Sequence, residues 1–177
     1  MENPQDRQYP TPRGTRRPAI ARGWRLGAVA AVLAMAVSGS VAWAGADPQT
    51  RHQPLNPPDA PAAIGPYSQG ISTGHMAFVS GQLPIDPATG RLLADASIEE
   101  QTQQVLRNVQ AVLAADHLRL AQVVSTTVYL SNLDDFDRFN AAYAEFFTGE
   151  APPARATVQV ARVPKDVKVE ISAIAVR

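Results

Sequence analysis

From residue 64 to the C-terminus the chain switches repeatedly between two hydrophobic periods. In "MAFVSGQLPI" (76–85), Ala77, Val79, Leu83 and Ile85 fall on one face and Met76, Phe78, Ser80 and Gln82 on the other, the period of a half-buried strand. Asp86-Pro87 and Gly90 supply turn chemistry behind it. Ser97 and Glu100 are spaced as a capping box, and Ile98, Val105, Leu106, Val109, Val112 and Leu113 then recur at helical spacing. This predicts an amphipathic helix of about four to five turns. "QVVSTTVYL" (122–130) is a β-branched strand. "SNLDDFDRFNAAYAEFF" (131–147) opens a second helix, with Ser131 or Asn132 as its cap and acidic residues where the helix dipole favours them. Its apolar stripe is Phe136, Phe139, Tyr143, Phe146 and Phe147. Two short strands within 152–177 close the chain.

This order predicts an α+β domain: one mixed β-sheet with both helices on one face, because each helix offers a single apolar stripe. The uncovered face is expected to carry Ser80, Gln82, Arg155, Thr157, Gln159, Glu170 and Ser172, either wet or pressed against another subunit. Charges at strand positions are unusual enough to need a reason. A tight hairpin at Pro164-Lys165-Asp166 sets Arg155 near Val176 and Glu170 near Ala161, roughly 20 Å apart at the usual strand rise. The two charges would then meet only across a subunit interface. A final strand that crosses elsewhere in the sheet removes that separation, and the pattern is compatible with both.

The formal charge of zero hides an asymmetry. Residues 1–44 hold six arginines against Glu2 and Asp6, and residues 45–177 hold ten Lys/Arg against fourteen Asp/Glu. The basic front is followed by "LGAVAAVLAMAVSGSVAWA" (26–44), apolar, uncharged and ending in Ala42-Trp43-Ala44. That is the layout of a secretory signal peptide, so export to the periplasm with cleavage near Ala44 is expected. An uncleaved membrane anchor is the alternative, weakened by the segment's many Ala, Gly and Ser. Arg16-Arg17 is followed by Pro18 and lacks the rest of a twin-arginine motif. Residues 45–62 read as a proline-rich flexible lead-in, and 63–177 as the folded domain.

Without cysteine the chain has no disulfide, thiolate metal site or cysteine nucleophile. No glycine-rich phosphate loop or G-x-S-x-G elbow is present. His52, His75 and His117 lack ligand partners at metal spacing, so no metal is predicted. Nor has Ser80 a histidine base that would make it a nucleophile. What remains are polar residues where apolar ones would be easier. Asn140 interrupts the aromatic stripe of the second helix, Arg155 and Thr157 share a strand face, and Glu170 sits mid-strand. Each has an ordinary explanation as a satisfied buried amide, a solvated face or an ion pair.

"APAAIGPYSQG" (60–70), "FVSGQLPIDPATG" (78–90), "FDRFNAAYAEFF" (136–147) and "PARATVQVARVPKDVKVEISAIAV" (153–176) together resemble the Rid family of reactive intermediate deaminases, also called the YjgF or liver perchloric-acid-soluble protein family. The resemblance spans about residues 59–177. It implies a chorismate-mutase-like fold that assembles as a homotrimer, with clefts between subunits. It further implies hydrolysis of 2-enamino and 2-imino acids to 2-keto acids and ammonia, with no cofactor. By the same resemblance Arg155 binds the substrate carboxylate, Glu170 positions or activates water, and Tyr67 lines the cleft. Ser80, Gly81, Asn140 and Thr157 complete the substrate-binding set. Thr157 stands where many deaminating members have cysteine, and Gln159 and Ser172 replace residues that are commonly acidic.

Two other readings stay open on the residues. One is a non-catalytic Rid-like module that binds small carboxylates in the same clefts. The other is an endoribonuclease or translation inhibitor, against which the acidic body and the unpartnered histidines weigh. The expected partners are therefore a small 2-imino, 2-enamino or 2-keto acid and further copies of the chain, with no nucleic acid, and no membrane after processing. N-terminal sequencing of protein from its native host should begin close to Gly45. Intact Met1 material in the cytoplasm would overturn the expected export.

Overall fold

The computed structural model describes residues 52–177. The expected leader over 1–44 and the first part of the lead-in lie outside the described residues. Six strands form one sheet in the order β1-β2-β3-β6-β4-β5: β1 (Gln53–Leu55), β2 (Gly70–Ser72), β3 (Met76–Gln82), β4 (Val123–Leu130), β5 (Ala154–Gln159) and β6 (Val169–Val176). Two helices, α1 (Ile98–Ala114) and α2 (Phe136–Ala144), pack on one face. The α+β reading of the sequence holds. The lead-in does not remain a free spacer to residue 62. Gln53–Leu55 pairs antiparallel with β2, and Leu55, 4% exposed, is drawn into the core beside Val112 and Val79. Pro54 is tolerated because β1 is an edge strand.

The capping box at the start of α1 forms as read, with Glu100 N donating to Ser97 Oγ at 3.2 Å and Ser97 N to Glu100 Oε2 at 2.9 Å. The second helix is entered through a 3-10 turn, Leu133–Asp135, capped by Asn132. Val105, Leu106, Val109, Val112 and Leu113 of α1 are fully buried against the sheet, and Phe139 and Tyr143 anchor α2. The buried face of α1 also holds amides that its apolar pattern does not announce. Gln101 donates to the Ala94 and Ala96 carbonyls and accepts from Lys168 N. Asn108 donates to the carbonyls of Leu83 and Ile85, each at 2.9 Å. These bonds pin the chain beyond β3 and the entry to β6 onto α1.

Two features of the sheet depart from the sequence expectation. The closing strands form no hairpin. The link between β4 and β5 runs through α2, and such a crossover returns the chain parallel to where it began. Thus β5 pairs parallel with β4 at the edge, while β6 inserts between β3 and β4. Second, one extra residue bulges from β3 between Val79 and Gln82. The bulge reverses the alternation, so that Gln82, expected on the uncovered face, is 5% exposed on the helix side, opposite Ile171.

Replacing Asn108 by Ala removes the side-chain donor of the Ile85 carbonyl and leaves the Leu83 carbonyl with Ile85 N alone. We expect a loss of about 2–3 kcal/mol, the scale for abandoned buried partners, seen as a lower urea midpoint with an unchanged slope. A loss indistinguishable from that of an exposed substitution such as Gln110→Ala would show that water replaces the amide.

Candidate active site

Strand pairing decides where the charged residues point. Arg155 lies opposite Thr126, which lies opposite Ala173. Glu170 lies opposite Tyr129, which lies opposite Val158. Since successive residues alternate faces, Arg155, Thr157 and Gln159 occupy the helix-bearing face. They do share a face, as read from the sequence, but it is not the uncovered one. Glu170 and Ser172 remain on the uncovered side. The parallel placement of β5 is the cause. Within one chain the sheet itself separates Arg155 from Glu170.

On the uncovered side, four of the predicted residues come together. Tyr67, Ser80, Gly81 and Glu170 line a cavity of about 350 Å³ with Ile64, Leu83 and Pro164. The Tyr67 hydroxyl accepts from Ile64 N at 3.2 Å, fixing the ring across the Gly65-Pro66 turn. Ser80 ties this segment to β3: its hydroxyl donates to the Ser68 carbonyl at 2.7 Å and its amide to the Gln69 carbonyl at 3.0 Å. The bulge lifts Gly81 directly under the Glu170 side chain, where an added methyl would overlap the carboxylate. Only a glycine lets that group lie against the strand. Burial holds the Glu170 carboxyl above the usual glutamate range, with no charge or hydrogen bond to offset it.

The remaining three residues gather on the other side. The Arg155 guanidinium lies over the rings of Tyr143, Phe139 and Phe136, with its carbon 4.6, 5.4 and 5.8 Å from their centroids. Such contacts favour a cation without neutralising it. No carboxylate among the described residues pairs with it. Thr157 follows two residues along the same strand face, and Asn140 lies one turn from Phe136 and Tyr143 on α2. Both keep a buried oxygen, Thr157 Oγ1 and Asn140 Oδ1, without a hydrogen-bond partner. An unmet group of that kind costs about 1–3 kcal/mol. Neither is the satisfied buried amide or solvated residue that would explain it away.

Two residues that support this half were not singled out as functional by the sequence. Tyr143, the nearest ring to Arg155, has its hydroxyl 2.8 Å from Thr126 Oγ1, and both are buried. Burial raises the tyrosine's pKa, against the opposing effects of that hydrogen bond and of the Arg155 charge. The signal for Tyr143 was present as one polar tip in a stripe of phenylalanines. Two larger hollows, of about 530 and 400 Å³, collect none of the predicted residues. Among the described residues no three His, Asp or Glu cluster as metal ligands would.

A family model described as endoribonuclease L-PSP matches residues 57–177. The chain belongs to this family, the Rid or YjgF/L-PSP family. It is 51% identical over 121 residues to a 2-iminobutanoate/2-iminopropanoate deaminase of Salmonella typhimurium, a match covering 67% of this chain and 93% of that enzyme. Among solved structures, the YjgF gene product of E. coli superposes with a TM-score of 0.67 at 47% identity, covering 71% of this chain and 98% of that one. E. coli TdcF with bound serine gives the same TM-score at 43% identity, with 71% and 98% covered. Within this Rid chain, then, the predicted site residues form two separate clusters, one on each face of the sheet.

The raised Glu170 pKa has a sign that stability measurements can read. Between the unfolded and folded values, the native chain binds more protons than the unfolded one, so this group's contribution to stability falls as pH rises through that window. The difference in urea stability between Glu170→Gln and the wild type should therefore grow with pH across it and level off above. Because the variant keeps every other carboxylate, their effects cancel in the difference. A difference that does not vary with pH would mean that Glu170 is solvated.

Proposed function

We propose that this protein hydrolyses 2-imino acids and their 2-enamino tautomers, of the 2-iminopropanoate and 2-aminoacrylate kind, to 2-keto acids and ammonia. The reaction takes place in clefts completed by two copies of the chain within a homotrimer. The observation that most supports it is the division of the site. One face carries a cation with no counter-ion among the described residues beside two orphaned polar oxygens, and the opposite face carries a half-buried carboxyl, likewise without a partner among them, set in a cavity. Each half has what the other lacks. The similarity to a named imine deaminase supports the same reading, as does the serine bound by TdcF, since serine is a small 2-amino acid.

In this cleft the substrate carboxylate takes the free face of Arg155, a planar fork suited to two parallel hydrogen bonds. Asn140 Oδ1 and Thr157 Oγ1 meet the substrate's polar edge. The C=N carbon then lies toward Glu170 of the neighbouring copy. Water held by the carboxyl adds to that carbon, forming a C–O bond as the nitrogen gains a proton. A second proton transfer releases ammonia as the C–N bond breaks, leaving the 2-keto acid. A carboxyl with a raised pKa is suited to passing protons both ways. An enamine reaches the same path after protonation at its terminal carbon. An imine carbon is already electrophilic, so positioning and proton transfer suffice without a cofactor. The reading of residues 1–44 as an export leader supports a periplasmic setting for this activity.

The test is decay of imines generated in situ by an amino-acid oxidase. Arg155→Ala should lower kcat/KM by an amount worth about 2–5 kcal/mol, the cost of removing one partner of a buried charge pair. Arg155→Lys keeps the charge but loses the fork, and should also be badly impaired. Glu170→Gln should still bind benzoate or a 2-keto acid while turnover falls. Co-assembling the Arg155→Ala and Glu170→Gln chains should restore about a quarter of the sites, because random mixing pairs an intact Arg155 with an intact Glu170 that often in a symmetric ring. Binding without turnover by the wild type would favour the non-catalytic module. Full activity of Arg155→Ala would remove the function proposed.

A further inference from the structure

On the deaminase reading proposed above, the substrate carboxylate goes to Arg155 of one copy and its C=N carbon to the water beside Glu170 of another. The third substituent, the substrate's side chain, is left to the rest of the cavity. That remainder is apolar: Ile64, Leu83 and Pro164. Pro164 heads a turn in which Lys165 and Asp166 both adopt left-handed backbones, with φ of 63° and 59°. Residues with side chains enter that region at a cost. The ends of the turn are fixed, since Val163 and Val167 are each 1% exposed and packed with Leu83. Across it, Arg162 Nε and Nη2 grip the two Asp166 oxygens at 2.5 and 2.7 Å. Both partners are mostly exposed, so the core does not need the pair. What it closes is the turn that carries Pro164 into the cavity wall.

We infer that the Arg162–Asp166 pair is a specificity-determining clamp, holding Pro164 where it limits the size of the substrate side chain. Small unbranched 2-imino acids are favoured over bulky ones because the wall stays in place. Neither residue touches the reacting atoms, and both act as positioning residues.

The readout is the ratio of kcat/KM for the phenylalanine-derived imine to that for the alanine-derived imine. Asp166→Gly keeps the left-handed backbone without cost and removes only the carboxylate. It should raise the ratio by about two- to fivefold, the range open to an exposed pair. Arg162→Gln should do the same, and the double variant should go no further than either single one. Raising ionic strength should move the wild-type ratio toward that of the variants, since an exposed pair is screened by salt. A ratio unchanged in the single variants, or shifts that add in the double variant, would overturn the clamp. If the wild type turns over no imine, the deaminase function falls, and the same ratio is read instead from the affinities for phenylpyruvate and pyruvate. The clamp stands if the variants shift that affinity ratio and falls if they do not, or if neither acid binds.

Discussion

The alternation of side chains across a pleated sheet is the constraint on which this molecule turns. With β6 between β3 and β4, and β5 parallel at the edge, Arg155 and Glu170 have opposite parity and two strands' separation. No rotamer brings them together. Were they on one face, their long side chains could reach across the intervening strand and pair, and neither would be available to a ligand. Parity keeps the guanidinium unpaired, and aromatic rings supply what stabilisation it has. It also leaves Glu170 half-buried without a cation partner among the described residues, and that burial holds its proton more tightly than an ordinary glutamate's.

Holding these groups requires a frame that does not yield, and much of that frame is polar. Gln101 and Asn108 of α1 reach the carbonyls of Ala94, Ala96, Leu83 and Ile85, so the cavity wall at Leu83 is tied to a helix rather than left on a loose loop. The same Gln101 takes the amide of Lys168 just before β6 begins, two residues from Glu170. A buried amide earns its place only when every contact is met. Here the contacts of Gln101 and Asn108 are met, while Asn140 and Thr157, beside Arg155, each keep a buried oxygen unmet.

The elements were legible because their causes are local. The capping box at Ser97, the helical period of α1, the β-branched run of β4 and the aromatic stripe of α2 each appear in a few adjacent residues. Of the cavity residues, Glu170 stood out as a charge mid-strand and Ser80 as a polar residue on the uncovered face, whereas Tyr67 and Gly81 came through family resemblance alone. What could not be read was pairing between distant segments. "RATVQV" gives no sign that its neighbour is β4 rather than β6, and on that choice depends which face Arg155 takes. The bulge at Ser80-Gly81 was hidden for a similar reason. A glycine in an alternating run permits a bulge without demanding one, and the shift shows only against β6. Residues 53–55 carry too short a signal to be told from a proline-rich spacer until β2 is present to pair with.

Edge strands explain why assembly and site should be linked. The strand that carries Arg155 has no buried residue and a single hydrogen-bonded neighbour. Val158 on it, Val124 on β4 and Phe78 on β3 are large apolar side chains left exposed. An unprotected edge beside such residues invites pairing with other chains, and natural sheets blunt or cover it. In the proposed trimer the cover is another copy of the same chain, whose Glu170 cavity meets the Arg155 half-site. The contact that shields the edge is then the one that completes the cleft, so a weakened interface should cost activity before it costs the fold of the single chain, whose core clusters form within that chain.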